Sequence, residues 1–590
     1  MTRTPSSSPS PGASATLDRR VDELLARMSL EDKAAQMFQP MANIAAPEEP
    51  GLFGSPSMRE LLDRGISHFN ILWAAGAREI ADWYNAVQRD ALGRGAGVPV
   101  SISSDPRHAF TDNPAAALMS GPFSQWPEPL GFAAIGSAEL VHRWARVIRR
   151  EYVAVGIRTA LHPQIDLATE PRWARISTTF GEDAGLTARL AAAYVRGLQD
   201  EDPDGTPAVS AMAKHFPGGG PQQDGEDAHF PYGREQVYPG GNFDQHLEPF
   251  EAVIGEGVAQ IMPYYGMPVG TAYEEVGFGF NKQIITGLLR EKLGYDGIVC
   301  TDWGILSSMC WGVEDLTYEE RMLKALDAGV DQFGGEWQVE VLVGLVRSGA
   351  VDEARIDTSV RRLLREKFRL GLFESPFVDA DAAVALVGDA EARAEGLAAQ
   401  SAAHVLLENA GDSPAHLPLA VGALRVYAEG VDAAAFAGRA TVAASPAEAD
   451  VAILRLAAPW EERGEPGTIE SFFHAGSLEF PGAEVERVRA LCATVPTIVS
   501  VYLDRPAVLT GIAEEAAALL VDFGASDEAF ARVLFGESRP EGRLPFDLPS
   551  SMAAVVASRS DVPFDTADPL FRFGDGLAYR AGSEGGSSAG

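Results

Sequence analysis

Short apolar runs alternate with helix-like segments along the first part of the chain, and this repetition most constrains the fold. The runs lie at residues 66–74, 98–105, 157–167, 208–216, 258–265, 297–303 and 330–335. They lack the polar–apolar alternation of half-exposed strands, which is typical of parallel strands buried on both faces. Because helix-like segments follow most of the runs, we predict a closed α/β barrel of the TIM-like (β/α)8 type.

The predicted barrel domain, residues 17–375, begins with a helix. Apolar residues recur at helical spacing over 17–39, with Ser29 as N-cap and Asp32 three residues later as an approximate capping-box partner. The preceding residues, 1–16, are rich in Ser, Pro, Ala and Thr, and we predict that they are disordered.

A second domain is predicted over 399–578, after a linker at 376–398. Its apolar runs, again with helices between them, lie at residues 423–429, 449–457, 496–503 and 517–524. This pattern predicts an open sheet with helices on both faces, an αβα sandwich. No glycine-rich phosphate loop follows any of these strands, so nucleotide binding is not indicated. The end of the chain, 579–590, is predicted to be disordered.

The chain of 590 residues has a net charge of −35. An acidic surface repels phosphate backbones and anionic membranes, so we expect no nucleic-acid or membrane partner and favour a small ligand. The cysteines, Cys300, Cys310 and Cys492, have neither disulfide-framework nor metal-site spacing. The first residues lack the apolar core of a secretion signal, and no apolar run is long enough to span a membrane; we therefore expect a cytoplasmic location.

Polar residues stand at the C-terminal ends of several predicted strands. In an α/β barrel these ends form the rim that carries the active site. Packing alone does not explain such a pattern, because an unpaired buried charge costs several kcal/mol. The residues at these positions are Asp105, Lys214, His215, Tyr264 and Asp302.

Each of the charged candidates has a catalytic and a structural interpretation. An aspartate ionised at neutral pH, such as Asp302, suits the nucleophile of a glycosidase, but it also suits the cap of a following helix. Lys214 suits either sugar hydroxyl groups or a structural pair with an aspartate. Arg175 can bind a hydroxyl group with its planar guanidinium or join a network with Glu182 or Asp183.

Six motifs then point to a known family. They are PRWAR with FGED, KHFPGGG, GYDGIVCTDWG, LLEN with LPL, GRLPFDLP and PLFRFGDGLAY. In this order, over nearly the whole chain, they resemble the motifs of glycoside hydrolase family 3. The resemblance implies a retaining, exo-acting hydrolase of β-linked sugars without cofactor or metal, with β-glucosidase as the expected activity. A carbohydrate is then the expected partner, and an assembly of identical subunits remains open.

The resemblance also implies roles for single positions. Asp302 matches the nucleophile, which would form a covalent glycosyl-enzyme. The implied sugar-binding residues are Asp105, Arg175, Lys214, His215, Tyr264 and Trp303. Within this set, Asp105 would bind the non-reducing end, Tyr264 would lie near the nucleophile and Trp303 would form a wall of the next subsite.

The acid/base residue is less clearly indicated. Alignment of residues 449–465 with the corresponding family strand selects Glu462, and the adjacent Glu461 is a second candidate. Family members that act on N-acetylglucosamine use a histidine oriented by an aspartate, and Asp227 with His229 resembles that pair. We prefer Glu462 because the second domain keeps a complete glutamate-bearing loop, although a solvated loop charge is the structural alternative.

Two departures from the family pattern bear on the substrate. SSDPRHAF replaces a glycine-rich stretch after Asp105, so Arg107 and His108 are expected to enter the rim. The loop 470–480 is long and aromatic, and its Phe472, Phe473 and His474 can shape a leaving-group site or simply pack.

Three other functions compete with a β-glucosidase. The Asp227–His229 pair suits a β-N-acetylglucosaminidase or a glycoside phosphorylase, and the same fold carries β-xylosidases. A non-catalytic sugar-binding protein is the alternative from a different class. Retention of Asp302, Lys214 and Arg175 argues against that last interpretation.

Overall fold

A computed structural model describes residues 11–73, 75–111, 120–200, 205–410 and 414–579. The barrel of its first domain is built on eight short strands, the first of which has two pieces. They are β1 (Phe38–Gln39 and Met41–Ala42), β2 (His68–Ile71), β3 (Ser101–Ser104), β4 (Ile157–Ala160), β5 (Ser210–Phe216), β6 (Gln260–Pro263), β7 (Ile298–Val299) and β8 (Phe333–Gly334).

These strands close into a parallel barrel. From β1 to β7, each strand pairs in parallel with the next one along the chain. A parallel bridge between Cys300 and Gln332 joins β7 to β8, and Phe333 pairs with Phe38 to join β8 to β1. The predicted (β/α)8 barrel is confirmed, and the carboxyl ends of its strands form one rim.

The N-terminal prediction of one continuous helix over 17–39 is wrong. The segment holds two helices, α1 (Pro11–Leu25) and α2 (Leu30–Gln36), and β1 begins at Phe38. Ser29 and Asp32 form a reciprocal capping box, which holds Ser29 in extended backbone and so ends the helical path before it. Helix α1 starts inside the segment 1–16 that was predicted to be disordered, and residues 1–10 lie outside the described part.

Helices surround the barrel. They are α3 (Met58–Asp63), α4 (Ala77–Leu92), α5 (Pro129–Ile135), α6 (Ala138–Val155), α7 (Ala184–Gln199), α8 (Phe243–Gly255), the π-helix Gln283–Lys292, α9 (Tyr318–Ala328), α10 (Val339–Arg347) and α11 (Glu353–Arg369). The predicted linker 376–398 largely consists of α12 (Ala380–Leu386), which packs on α4 and α6, and most of α13 (Ala390–Ala402), which packs on the second domain. No helix within the described ranges is long and apolar enough to cross a membrane.

The second domain is a six-stranded sheet between helices. Its strands are β9 (Val405–Asn409), β10 (Arg425–Glu429), β11 (Thr441–Val442), β12 (Val451–Ala457), β13 (Thr497–Tyr502) and β14 (Ala518–Asp522), in the order β9-β14-β13-β12-β10-β11. Only the β9–β14 pair is antiparallel. The four predicted strand regions contain β10, β12, β13 and β14.

Alternate residues of these strands enter two separate cores, as expected when helices cover both faces of a sheet. Leu454 of β12 shares one core with Val488 of α14 (Gly482–Thr494). Its neighbour Ile453 shares the other core with Phe530 of α16 (Asp527–Leu534). The predicted αβα sandwich is therefore confirmed; the remaining short helices are α15 (Thr510–Ala513) and α17 (Met552–Ala557).

Two buried glutamates of the barrel domain join it to the C-terminal half of the chain. The Tyr502 hydroxyl donates to Glu128 Oε1 (2.6 Å), and the backbone N–H groups of Asp547 and Phe564 donate to Glu182 (2.6 and 2.8 Å). Burial raises the pKa of Glu128 and that of Glu182 to about 8. These hydrogen bonds favour the ionised carboxylates, but burial outweighs them and favours the neutral acid at neutral pH.

Because Glu128 is buried as the neutral acid, we predict that its ionisation at alkaline pH destabilises the fold. Its folded pKa is about 8 against an ordinary value of 4.5, so its stabilising effect is complete below that ordinary value and declines as the pH rises through 8. The Gln side chain of Glu128→Gln stays neutral at every pH. Raising the pH from about 6 to about 9 should therefore increase the free energy of unfolding of this variant, relative to that of the wild type, by on the order of 2 kcal/mol. Denaturant unfolding at the two pH values measures this difference, with the exposed Glu79→Gln as control. Identical pH dependence in the wild type and Glu128→Gln would contradict the prediction.

Candidate active site

The barrel rim brings the predicted polar residues together. Asp105 directly follows β3, and Lys214 and His215 lie in the last part of β5. Tyr264 follows β6, and Asp302 lies just beyond β7. Because all these strands run in parallel, their side chains converge at the same end of the barrel.

Lys214 and Asp105 form an ion pair at this rim. Lys214 Nζ donates to Asp105 Oδ1 (2.8 Å), while Asn70 Nδ2 donates to Asp105 Oδ2 (3.4 Å). Burial raises the pKa of Asp105, but the Lys214 ammonium outweighs that effect and leaves the pKa below its usual value. The site thus presents a charged acceptor beside a charged donor, which suits a polyhydroxylated ligand.

His215 is held between an acid and a guanidinium. Its Nδ1 donates to Asp166 Oδ2 (2.8 Å), and Arg175 Nη1 donates to its Nε2 (3.1 Å). Burial and then the positive charge of Arg175 lower the pKa of His215 well below its usual value, so the imidazole is neutral. Since Nε2 accepts from Arg175, the proton must lie on Nδ1, which assigns the tautomer.

Asp166 is a site residue that the sequence reasoning missed. It accepts from the backbone N–H of His215 (3.0 Å) as well as from the ring, and burial raises its pKa to about 6. The available signal was its place at the end of the 157–167 run, the same position that drew attention to Asp105. The suggested network of Arg175 with Glu182 or Asp183 is not what the structure shows, because Arg175 donates to His215.

Asp302 is nearly buried, and only one of its two carboxylate oxygens accepts a hydrogen bond. Its Oδ1 accepts from the backbone N–H of Trp303 (2.8 Å), whereas its buried Oδ2 has no hydrogen-bond partner among the described residues. That oxygen lies 3.8 Å from His215 Nε2. Asp302 caps no helix, because the next one, α9, has Thr317 as its N-cap. An unpaired carboxylate oxygen at the rim is free to approach an electrophile.

The tyrosine beside the nucleophile candidate is Tyr265 rather than the predicted Tyr264. The Tyr265 hydroxyl donates to the Trp303 carbonyl (2.9 Å), and burial followed by the negative charge of Asp302 raises its pKa well above the usual value. The Tyr264 hydroxyl instead donates to Asp227 Oδ2 (3.0 Å). The two residues are adjacent in the sequence, so the motif alone did not separate their roles.

Asp227 and His229 form a second buried pair near the rim. His229 Nδ1 donates to Asp227 Oδ1 (2.6 Å), and Trp173 Nε1 donates to Asp227 Oδ2 (2.8 Å). Burial raises the pKa of Asp227, but the His229 charge and these hydrogen bonds outweigh it and leave the pKa well below its usual value. The His229 ring lies 4.7 Å from the Tyr265 ring, and no described residue is hydrogen-bonded to its Nε2.

The other predicted acid/base residues lie on a second-domain loop, 459–477. Glu462 is exposed, and its carboxylate forms no hydrogen bond or ion pair with a described residue. Glu461 accepts from the backbone N–H of Ser477 (3.1 Å), so its carboxylate is engaged within the loop itself. The Phe473 ring lies 5.0 Å from the His229 ring, which brings this loop against the barrel beside the candidate site.

Aromatic side chains flank the site. The half-buried Trp303 lies against the end of β8, where a Cβ on Gly334 would come within 2.8 Å of the indole. Trp460 stacks on His474 with ring centroids 4.3 Å apart, and His474 Nδ1 hydrogen-bonds Asp504 (2.5 Å). The indole of Trp460 keeps 38% of its surface exposed, so one face is available to a ring-shaped ligand.

Arg107 and His108 do not enter the rim as expected. Both are buried: Arg107 Nε donates to Ser104 Oγ (2.6 Å), and His108 Nε2 contacts Glu151 (3.2 Å). A glycine-free stretch after Asp105 therefore supplies packing and hydrogen bonds behind the site. No group of three His, Cys, Asp or Glu side chains in the described ranges could hold a metal ion.

Comparison with known proteins agrees with this architecture. Residues 30–366 match the Glycosyl hydrolase family 3 N terminal domain, and residues 373–579 match the corresponding C-terminal domain. Beta-glucosidase C of Emericella nidulans is 48% identical, with 96% of this chain and 93% of that protein covered. The periplasmic beta-glucosidase/beta-xylosidase of Dickeya chrysanthemi is 38% identical, with 95% and 90% covered.

Solved structures share the fold. A β-glucosidase from Erythrobacter marinus matches with a TM-score of 0.79 at 23% identity, covering 95% of this chain and 83% of that chain. The β-glucosidase from Listeria innocua in complex with isofagomine matches with a TM-score of 0.78 at 22% identity, over 95% and 83%. Together with the two domain matches, these findings confirm the resemblance read from the motifs: the chain belongs to glycosyl hydrolase family 3.

Proposed function

We propose that the protein is a retaining, exo-acting β-glucosidase with Asp302 as nucleophile. The observation that carries this proposal is the unpaired Oδ2 of Asp302 at the rim, beside the hydrogen-bonded residues Lys214, His215 and Arg175. The 48% identity to a β-glucosidase over nearly the whole chain supports the substrate class. β-Xylosides stay the second candidate, because the relative from Dickeya chrysanthemi carries both names.

The geometry suggests how a β-glucoside is bound. Asp105 accepts hydrogen bonds from sugar hydroxyl groups, and Lys214 donates to them while holding Asp105 ionised. Burial lowers the pKa of Arg175, but nearby acidic groups including Asp302 raise it overall, so a permanent cation faces the nucleophile. The neutral His215 shapes the pocket without adding a third positive charge to those of Lys214 and Arg175.

Catalysis then follows the double displacement of retaining glycosidases. Asp302 Oδ2 bonds to the anomeric carbon as the C–O bond to the leaving group breaks, and the acid/base residue gives its proton to the leaving oxygen. Water, deprotonated by the same residue, then releases the sugar and frees Asp302. We propose Glu462 as this acid/base residue, since it lies on the second-domain loop that packs beside the site.

His229 is the competing proton donor. Its imidazole is oriented by Asp227 and is only 15% exposed, whereas Glu462 is exposed in the ligand-free protein. Use of His229 would favour a β-N-acetylglucosaminidase or glycoside phosphorylase, in line with the family resemblance of that pair.

Replacing the nucleophile tests the central assignment. Asp302→Asn should lower kcat/KM for 4-nitrophenyl β-glucoside on the order of 10⁴-fold or more, because no other group can form the glycosyl-enzyme. The exposed Asp315→Asn serves as control and should behave as wild type. A 2-deoxy-2-fluoroglucoside should label the Asp302 peptide of the wild type in a mass spectrum. Full activity of Asp302→Asn, or a label elsewhere, would refute the assignment.

Azide rescue separates the two proton donors. Glu462→Ala should lose about 10²- to 10⁴-fold in kcat/KM with a poor leaving group, because glycosylation then lacks its acid. With 2,4-dinitrophenyl β-glucoside, whose glycosylation needs no acid, deglycosylation should limit the variant, and azide should restore turnover with formation of β-glucosyl azide because azide needs no general base. His229→Ala should show neither effect, and Glu465→Ala on the same loop is the matched control. The opposite result would assign the acid/base role to His229, and rates on β-glucoside, β-xyloside and N-acetylglucosaminide would then redefine the substrate.

The Asp166 contact makes a separate prediction. Asp166→Asn keeps the size of the side chain but removes the charge that fixes the Nδ1–H tautomer of His215, so we expect kcat/KM to fall by about 10²-fold. Asp183→Asn retains a helix N-cap outside the site and should leave kcat/KM unchanged. Thermal unfolding of both variants checks the fold, and a folded Asp166→Asn enzyme with wild-type kcat/KM would rule out this role.

A further inference from the structure

Arg505, just after β13, is a fully buried arginine that serves neither the nucleophile nor the sugar pocket described above. Its guanidinium donates hydrogen bonds of 2.8–3.2 Å to backbone carbonyl groups only. These carbonyl groups belong to Arg172, Pro459, Ala475, Gly476 and Ser477.

No carboxylate of the described residues forms an ion pair with Arg505. Burial lowers its pKa to about 10, which still leaves the guanidinium charged at neutral pH. A buried charge without a direct counter-ion is costly, and here carbonyl dipoles compensate for it together with the more distant charges of Asp504 and Glu461. A buried charge of this kind adds little to the stability of the fold, and its main effect is to fix the geometry of the backbone that it binds.

The five carbonyl groups define what Arg505 connects. Pro459 and Ser477 are the two ends of the loop 459–477, which are thereby held together. A backbone bridge between Glu461 and Ala475 continues this connection inside the loop. Arg505 thus joins both ends of the loop that carries Glu462, together with this bridge and the Ser477–Glu461 hydrogen bond.

The remaining carbonyl group belongs to the barrel. Arg172 lies in PRWAR, three residues before Arg175, which contacts His215 in the sugar pocket. Arg505 thus links the base of the second-domain loop to the PRWAR segment, which supplies the sugar-binding side chain of Arg175. Backbone hydrogen bonds from one rigid, planar donor define both distance and direction.

Other contacts between loop and barrel lie closer to solvent. Arg463 pairs with Glu226, and Tyr232 donates to Glu470. Both ion-pair partners, Arg463 and Glu226, are about one quarter exposed, so their interaction is weakened by water and salt. These contacts support the part of the loop distant from its ends, whereas Arg505 holds the two ends together.

We propose that Arg505 is a positioning residue that aligns the second-domain loop for proton transfer to the leaving group. The inference rests on the proposed function, in which that loop supplies the acid/base residue. It predicts a specific defect: a displaced donor slows reactions that need protonation of the leaving oxygen and spares those that do not.

Aryl β-glucosides of graded leaving-group basicity measure this defect. Their kcat/KM values report the glycosylation step, and a 2,4-dinitrophenolate leaves without proton assistance whereas a phenolate requires it. Arg505→Lys keeps the charge, but its ammonium has only three donors and cannot hold five carbonyl groups in one plane. We expect it to lose about 10²-fold on phenyl β-glucoside and less than about fivefold on 2,4-dinitrophenyl β-glucoside.

Two further variants complete the experiment. Arg463→Gln removes the partly exposed contacts of Arg463 with Glu226, Glu461 and the Tyr232 ring, and it should show the same selectivity with a smaller loss. It keeps the test decisive should Arg505→Lys fail to fold. Arg455→Lys is the matched control, because Arg455 is a half-buried second-domain arginine that pairs with Asp522 and Asp527 away from the loop. It should lose no selectivity.

The outcomes distinguish this inference from the proposed function. Equal losses on both substrates in folded Arg505→Lys, or no loss on either, would overturn the positioning role while the wild type remains an active β-glucosidase. When Arg505→Lys does not fold, unchanged selectivity in Arg463→Gln overturns it. A wild type that neither hydrolyses aryl β-glucosides nor becomes labelled at Asp302 would instead overturn the proposed function.

Discussion

Burial of charge at one end of the barrel is the constraint on which the site depends. An ion removed from water must find a partner, and the rim provides one for each of its permanent charges. Lys214 neutralises Asp105, and His215 links Asp166 to Arg175. The exception is one oxygen of Asp302, which has no hydrogen-bond partner in the described part of the chain. Arg175 Nε and Trp303 Nε1 also lack hydrogen-bond partners in this part of the chain, but both carry donors, so this oxygen is the nucleophilic atom among them.

The contacts between the second domain and the barrel also involve buried polar groups. The partners of these groups are mainly neutral: Glu128 meets the Tyr502 hydroxyl and Arg505 meets carbonyl dipoles. Neutral partners fix direction without adding charge near the nucleophile. The junction therefore holds the loop 459–477 beside the site largely through neutral partners.

The sequence predicted those features that arise from periodicity and from motifs. Runs of strand residues buried on both faces predicted the barrel, and strand-end positions predicted Asp302 and Lys214 at one rim. The PRWAR motif marked Arg175 as a sugar-binding residue. The first strand was missed because its two short pieces follow Ser29, whose capping box interrupts an otherwise helical pattern. Asp166 was missed because only its tertiary contact with His215 distinguishes it from an ordinary strand-end polar residue.

The proton donor shows why tertiary placement escapes sequence reasoning. Whether a carboxylic acid keeps its proton near neutral pH depends on how far it is shielded from water, and that shielding is set by packing rather than by neighbouring letters. Glu462 stands in water in the ligand-free protein, while His229 is covered by Phe473 and anchored by Asp227. If Glu462 is the proton donor, as proposed, the shielding must come from the leaving group itself as it enters between loop and barrel. On this view the donor becomes competent only in the occupied site, which is why the rigidity of the loop's base matters more than its contacts in the empty one.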